Sequence, residues 1–128
     1  MKFYVAAPFS EKERVREIHT LIKRKGHSLS SDWTLHKPIK PYDQNAETSK
    51  EYSEEDVKGA MDCDVFIILT SENKTTGSYL ELGAAISSSL IREKPKIYCV
   101  GPHFAVSMMN YHPRIIRVHS ISDIEELR

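Results

Sequence analysis

The sequence is poor in cysteine, glycine and net charge, and each shortage excludes something. Two cysteines, Cys63 and Cys99, are too few for a disulfide framework. Both fall beside or within expected strands, which suits buried free thiols in a reducing, cytoplasmic setting. The six histidines are scattered at 19, 27, 36, 103, 112 and 119, with no Cys/His cluster at metal-ligand spacing, so no metal site is expected. Only five glycines are present, none arranged as G-x-G-x-x-G, and a dinucleotide fingerprint is therefore missing. Lys plus Arg equals Asp plus Glu at 18 each, which argues against a binder of nucleic acid polymers. A local cationic pocket for one phosphate stays open. No apolar run approaches the roughly 20 residues of a membrane span, so no membrane partner is expected. The opening MKFYVAAPF reads as a strand rather than a secretory leader.

What is present suits one α/β domain covering residues 1–128, with 40% hydrophobic residues to build a single core. Residues 2–6 read as a strand ended by Pro8. Ser10 and Glu13 form a capping-box pattern ahead of a helix whose Val15, Ile18, Leu21 and Ile22 share one face. Gly26 stops it. Residues 27–30 are a weak second strand, and residues 31–48 a long polar loop with Pro38 and Pro41. A helix is expected over 49–61, a strand buried on both faces over 64–69, and a helix over 78–90. Strands over 96–100 and 115–118 and a short helix over 122–127 complete the chain. Strands alternating with helices imply an open parallel sheet covered on both faces, with its site beyond the carboxyl ends of the strands. The loops at 6–10, 70–78 and 101–113 therefore carry the functional expectations.

The segment T-T-G-S-Y-L-E-L-G, residues 75–83, is the most informative. Small polar residues and a glycine precede a helix start, where free N–H groups can hold an anion. Glu81 falls near that first turn, where the helix dipole favours the ionised form a nucleophile needs. Acids are also common there for electrostatic reasons alone. Leu80 and Leu82 read as core-facing, and Gly83 as a point of close helix–sheet packing. Asp56 lies in an E-E-D run that is either a solvated helix face or the second carboxyl of a glycosidase-like pair. Trp33 and Tyr42 either stack on a base or seal the long loop. His19 and His119 read as surface or edge residues, whereas His103 and His112 are placed to touch a substrate. Ser10 has no evident His or Asp partner for a nucleophilic role.

Three stretches together resemble the nucleoside 2-deoxyribosyltransferase superfamily: K-F-Y-V-A-A-P-F at the start, E-E-D followed by D-C-D-V-F-I-I-L, and G-S-Y-L-E-L-G-A-A. That superfamily includes 2'-deoxynucleoside 5'-monophosphate N-glycosidases and CMP-cleaving hydrolases. The resemblance runs in order along nearly the whole chain, and E-L-G with an upstream Asp is its most specific part. It implies a flavodoxin/Rossmann-like open parallel five-stranded sheet of order 2-1-3-4-5, and no metal or organic cofactor. It implies a nucleoside or nucleotide substrate, cleaved or transferred at its N-glycosidic bond, with Glu81 as the covalent nucleophile and Asp56 as orienting group or proton donor. Thr76, Gly77 and Ser78 would line the sugar or 5' end. Phe3, Tyr4, Ala7, Pro8, Phe9 and Trp33 would complete the substrate pocket. A homodimer or larger homo-oligomer is implied, with Ser107, Met109 and Asn110 completing a neighbour's pocket.

Two departures stand out. The superfamily often carries a Tyr on the first strand whose hydroxyl meets the nucleophile, and ungapped alignment on A-A-P-F puts Phe3 there, with Tyr4 beside it. Adjacent strand residues face opposite sides, so only one enters the site. The usual Gly of the first loop is Ala7. These departures keep a second reading in play, a non-catalytic nucleotide sensor on the same fold.

Overall fold

A computed structural model describes residues 1–73 and 75–128. Lys74, inside the expected 70–78 loop, lies outside the described residues. Five parallel strands, β1 (Lys2–Ala6), β2 (Ser28–Leu29), β3 (Val65–Leu69), β4 (Lys96–Val100) and β5 (Ile115–Val118), form one sheet in the order β2-β1-β3-β4-β5. This is the expected order 2-1-3-4-5. Three helices connect the first four strands: α1 (Lys12–Arg24), α2 (Ala46–Asp62) and α3 (Thr76–Arg92). Right-handed crossovers put α1 on one face and α2 and α3 together on the other, where those two helices pack against each other. Among the described residues, no helix is long and apolar enough to cross a membrane.

The core follows from the strand sequences. Every residue of β3 is buried, as a continuous Val-Phe-Ile-Ile-Leu run in mid-sheet requires. Cys63 and Cys99 are buried free thiols, and burial pushes both up to about 12. His19 is 4% exposed, beneath the turn that starts the long loop, and is not the surface residue expected. Its Nδ1 lies 3.5 Å from Asp32 Oδ1.

Several boundaries differ from expectation for local reasons. A 3₁₀ turn at Phe9–Glu11 precedes α1, and Glu11 rather than Ser10 is its N-cap, with no side-chain hydrogen bond; the expected capping box does not form. Gly26 ends the helical region at φ 87°, which suits glycine. Helix α2 starts three residues earlier than expected, after a 3₁₀ turn at Tyr42–Asn45, and α3 two residues earlier, at Thr76. Two 3₁₀ turns, Ile121–Asp123 and Glu125–Leu127, stand where a last short helix was expected. An added Cβ at Gly83 would meet nothing within 4 Å, so Gly83 is not the close helix–sheet contact expected.

That role belongs to Gly59, on α2. A Cβ there would lie 2.9 Å from the Tyr4 ring and 2.7 Å from Ser31 Cβ. Absence of a side chain at this one point lets α2 settle directly on β1. Gly59→Ala is therefore expected to cost about 1–3 kcal/mol through overpacking, read by urea denaturation; an unchanged midpoint would show that α2 does not rest on Tyr4 as described.

Candidate functional site

The alternation of β1 decides which aromatic enters the site. Phe3 and Tyr4 are both fully buried, but on opposite faces. Phe3 packs against the His27 ring, with centroids 5.0 Å apart, so it contributes nothing to the candidate pocket and that expectation is corrected. Tyr4 points under α2 and α3, stacked on Phe66 with centroids 5.8 Å apart, and its hydroxyl donates to Glu81 Oε2 at 2.8 Å. The tyrosine expected to meet the carboxyl is thus present, one residue beyond the ungapped alignment.

Glu81 and Asp56 come together across the α2–α3 seam, and the charge of Asp56 acts on both Glu81 and Tyr4. Because α3 begins at Thr76, Glu81 sits in its second turn, outside the reach of the N-terminal dipole. Burial dominates instead. It raises Glu81 to about 8, against the lowering by the Tyr4 hydrogen bond and with a further rise from Asp56. Burial likewise raises Asp56 to about 6, opposed by His36 and reinforced by Glu55. The Tyr4 hydroxyl is raised too, by burial first and then by the two carboxyls. The expectation that Glu81 is favoured in its ionised form is therefore reversed in the empty site. Both carboxyls thus hold a proton more tightly than exposed carboxyls do.

Two cavities flank the loop that follows β1. The larger, about 510 Å³, has Phe9, His36, Tyr52 and Asp56 on its walls, with Lys37 and Lys40 at its side. Glu81 is not among its lining residues. The second, about 450 Å³, lies at the carboxyl ends of β1, β3 and β4 and is lined by Pro8, Ser10, Arg14, Thr75 and His103, with Glu11 and Glu72 nearby. This is where an open parallel sheet places a ligand. Phe9 is on one cavity and its neighbours Pro8 and Ser10 are on the other; Ala7 is half-buried at the strand end.

Other expected site residues fall elsewhere. Trp33 is 8% exposed, and its indole N–H donates to the Val5 carbonyl at 2.6 Å, so it seals the long loop against β1 and offers no free face to a base. Thr76 and Gly77 are exposed, Ser78 is buried with its Oγ accepting from Thr75 Oγ1 at 2.8 Å, and none of the three lines either cavity. Asn110 is fully buried in its own chain, accepting from the Tyr79 hydroxyl and donating to the Phe104 carbonyl, which removes it from a neighbour's pocket. Ser107 accepts from Met109 N, and Met109 is partly exposed. His112 accepts from Arg114 N and lines neither cavity. Leu82 is core-facing as expected, but Leu80 is 67% exposed.

Sequence reasoning missed His36 and Tyr52. Their rings stack at 3.8 Å and 4°, and both line the larger cavity beside Asp56. Tyr52 and Asp56 are four residues apart on one helix face, a signal that was readable. His36 reaches them only through the tertiary fold.

The fold has a known counterpart. The solved structure of a Clostridium botulinum CMP N-glycosidase, BcmB, superposes with a TM-score of 0.62 over 92% of this chain and 88% of that one, at 15% sequence identity. At that identity the likeness is one of fold. No protein-family model matches the chain, and no curated protein matches it.

The buried carboxyls have a stability consequence. Glu81 has a folded-state value near 8 against 4.5 for the free side chain. Its contribution to stability is therefore fully present below about 4.5 and is lost as pH rises through about 8. At pH 7 keeping the carboxyl buried costs about 3 kcal/mol. Glu81→Gln, which can still accept from Tyr4, is expected to raise the melting temperature at pH 7–8 and to change little at pH 4. Thermal denaturation across pH checks this; a Gln variant less stable than wild type at pH 8 would contradict the buried-carboxyl picture.

Proposed function

We propose that the protein cleaves the N-glycosidic bond of a nucleoside or nucleotide, with Glu81 attacking C1' and Asp56 protonating the departing base. The observation that carries this reading is the Tyr4–Glu81–Asp56 cluster, two carboxyls whose proton affinity is raised by burial beside a tyrosine hydroxyl. Pairs of this kind suit glycosidic chemistry, which needs one carboxylate and one carboxylic acid at the same pH. The named activity of the Clostridium botulinum counterpart adds support for a nucleotide substrate.

In the first step a Glu81 oxygen bonds to C1' as the C1'–N bond breaks, and the bond's electron pair passes to the base nitrogen, which takes the Asp56 proton. Positive charge on the sugar favours ionised Glu81 and leaves the proton on Asp56. Tyr4 steadies the attacking carboxylate through its 2.8 Å hydrogen bond. In the second step Asp56, now a carboxylate, takes a proton from water as the water oxygen opens the ester, and Glu81 leaves as a carboxylate. A second base in place of water makes the reaction a transfer. The base lies in the cavity walled by Phe9, His36 and Tyr52, and the 5' end points toward Ser10, Arg14 and Thr75.

Incubation with ribo- and deoxyribonucleosides and their monophosphates, followed by chromatography for free base, tests this. Wild type is expected to release base and Glu81→Ala to release none; equal release by both would sink the mechanism. Rate against pH is expected to be bell-shaped, with limbs near about 6 and about 8. Below the acid limb both carboxyls are protonated and no nucleophile exists. Above the alkaline limb both are ionised and no acid remains.

The working form we propose is a homodimer or larger homo-oligomer. Leu80, Leu90 and Ile91 on α3, exposed by 67%, 54% and 82%, and Met108 at 85% are large apolar side chains left facing solvent. Sedimentation equilibrium is expected to show a dimer that Ile91→Glu converts to monomer. A monomeric wild type at micromolar concentration would rule the dimer out.

A further inference from the structure

Asp56 Oδ1 is buried and has no hydrogen-bond partner among the described residues. An orphaned carboxyl oxygen is costly once the group is charged. The donor in reach is His36 Nε2, 3.8 Å away and at present 3.2 Å from Glu55 Oε2. The ring therefore stands between two carboxyls on adjacent residues of α2. One is outward, with Glu55 side chain 58% exposed, and the other inward, with Asp56 26% exposed; His36 itself is 15% exposed. A shift of about 1 Å would carry Nε2 from one oxygen to hydrogen-bond distance of the other.

Tyr52 limits the ring to that motion. It stacks flat on His36, and its hydroxyl accepts from Lys37 N at 3.2 Å, so one side chain holds both the ring and the backbone that follows. The charged and titratable groups around His36 are Glu55, Asp56 and Tyr52 from α2, and Lys37 and Lys40 from its own loop. Behind Asp56 stand Glu81 from α3 and Tyr4 from β1.

We propose that His36 is a positioning residue for Asp56: its Nε2–H leaves Glu55 and bonds Asp56 Oδ1 as Asp56 gives up its proton to the departing base. The reaction step rests on the glycosidic reading above; the contact itself does not. No net proton moves through the ring. While Asp56 is protonated, His36 stays with Glu55. Once Asp56 becomes a carboxylate, the contact forms and stabilises the new charge. An interaction made only as charge develops raises kcat without tightening substrate binding. The flat Tyr52 stack makes the same ring a rigid wall of the base cavity.

Two variants separate the nitrogen from the ring. His36→Phe keeps a flat ring on Tyr52 but removes the donor; His36→Gln restores a donor without the stack. In the free protein, carbon-13 NMR of the Asp56 side-chain carboxyl is expected to show a higher titration midpoint in His36→Phe, by about one unit, tenfold in proton affinity. His36→Gln is expected to lie between that variant and wild type. An unchanged midpoint in His36→Phe overturns the proposal. In turnover, His36→Phe is expected to lower kcat about tenfold to a hundredfold with KM nearly unchanged, and His36→Gln to recover part of it. Equal losses in the two variants, or a loss confined to KM, mean a merely structural ring and overturn the proposal too. If wild type releases no base from any substrate, the glycosidic reading fails, and the NMR titration alone decides the His36–Asp56 contact.

Discussion

The hydrogen bond from Tyr4 to Glu81 joins the centre of the sheet to the helix layer above it. It holds a carboxyl where water would otherwise be needed. Tyr4 is fully buried, and Glu81 and Asp56 are withdrawn from solvent at the seam of two helices. That arrangement requires α2 to lie against the Tyr4 ring, and Gly59 is the residue that allows it. Trp33, bonded to the Val5 carbonyl, fastens the long loop to the same strand and brings His36 to the cavity wall. The site is thus built around one strand, β1, and depends on how closely two elements approach it.

Burying two carboxyls works against folding, and the rest of the domain offsets it. The uninterrupted apolar run of β3, flanked by β1 and β4, supplies the non-directional burial that tolerates a polar cluster on one face. In return the cluster acquires proton affinities far from those of exposed side chains. Desolvation, rather than the helix dipole, sets them. The dipole acts over about one helical turn, and Glu81 is a turn too deep for it. A site tuned by burial responds strongly to any positive charge brought into it, because the same exclusion of water that raises proton affinity also strengthens every charge interaction inside.

Much of the fold was legible because parallel-sheet patterning is local. The runs KFYVA, VFIIL and KIYCV coincide with β1, β3 and β4 to within a residue, and α1 shows its apolar face at helical spacing. Boundaries were less legible where 3₁₀ turns replaced expected caps, as at Phe9–Glu11, since a short turn carries no periodicity. Within the candidate site, Glu81 and Asp56 stood out through spacing and resemblance. The choice between Phe3 and Tyr4 did not, because a strand's alternation leaves open which face is which until its neighbours are in place. His36 gave no local signal at all; fifteen residues of loop and helix lie between it and Tyr52, and the two rings meet only in the fold.

By itself, then, the sequence determined an α/β fold, the strand pattern of its sheet, a balanced charge and two carboxyls worth watching. These depend on short-range periodicity and composition, which a chain carries with it before folding. Tertiary structure decided that Tyr4 meets Glu81, that Trp33 seals rather than binds, that Asn110 is used internally, and that burial raises the proton affinity of both carboxyls. Those outcomes depend on distances between elements far apart in the chain, and on exclusion of water, which exists only once the helices have closed over the sheet.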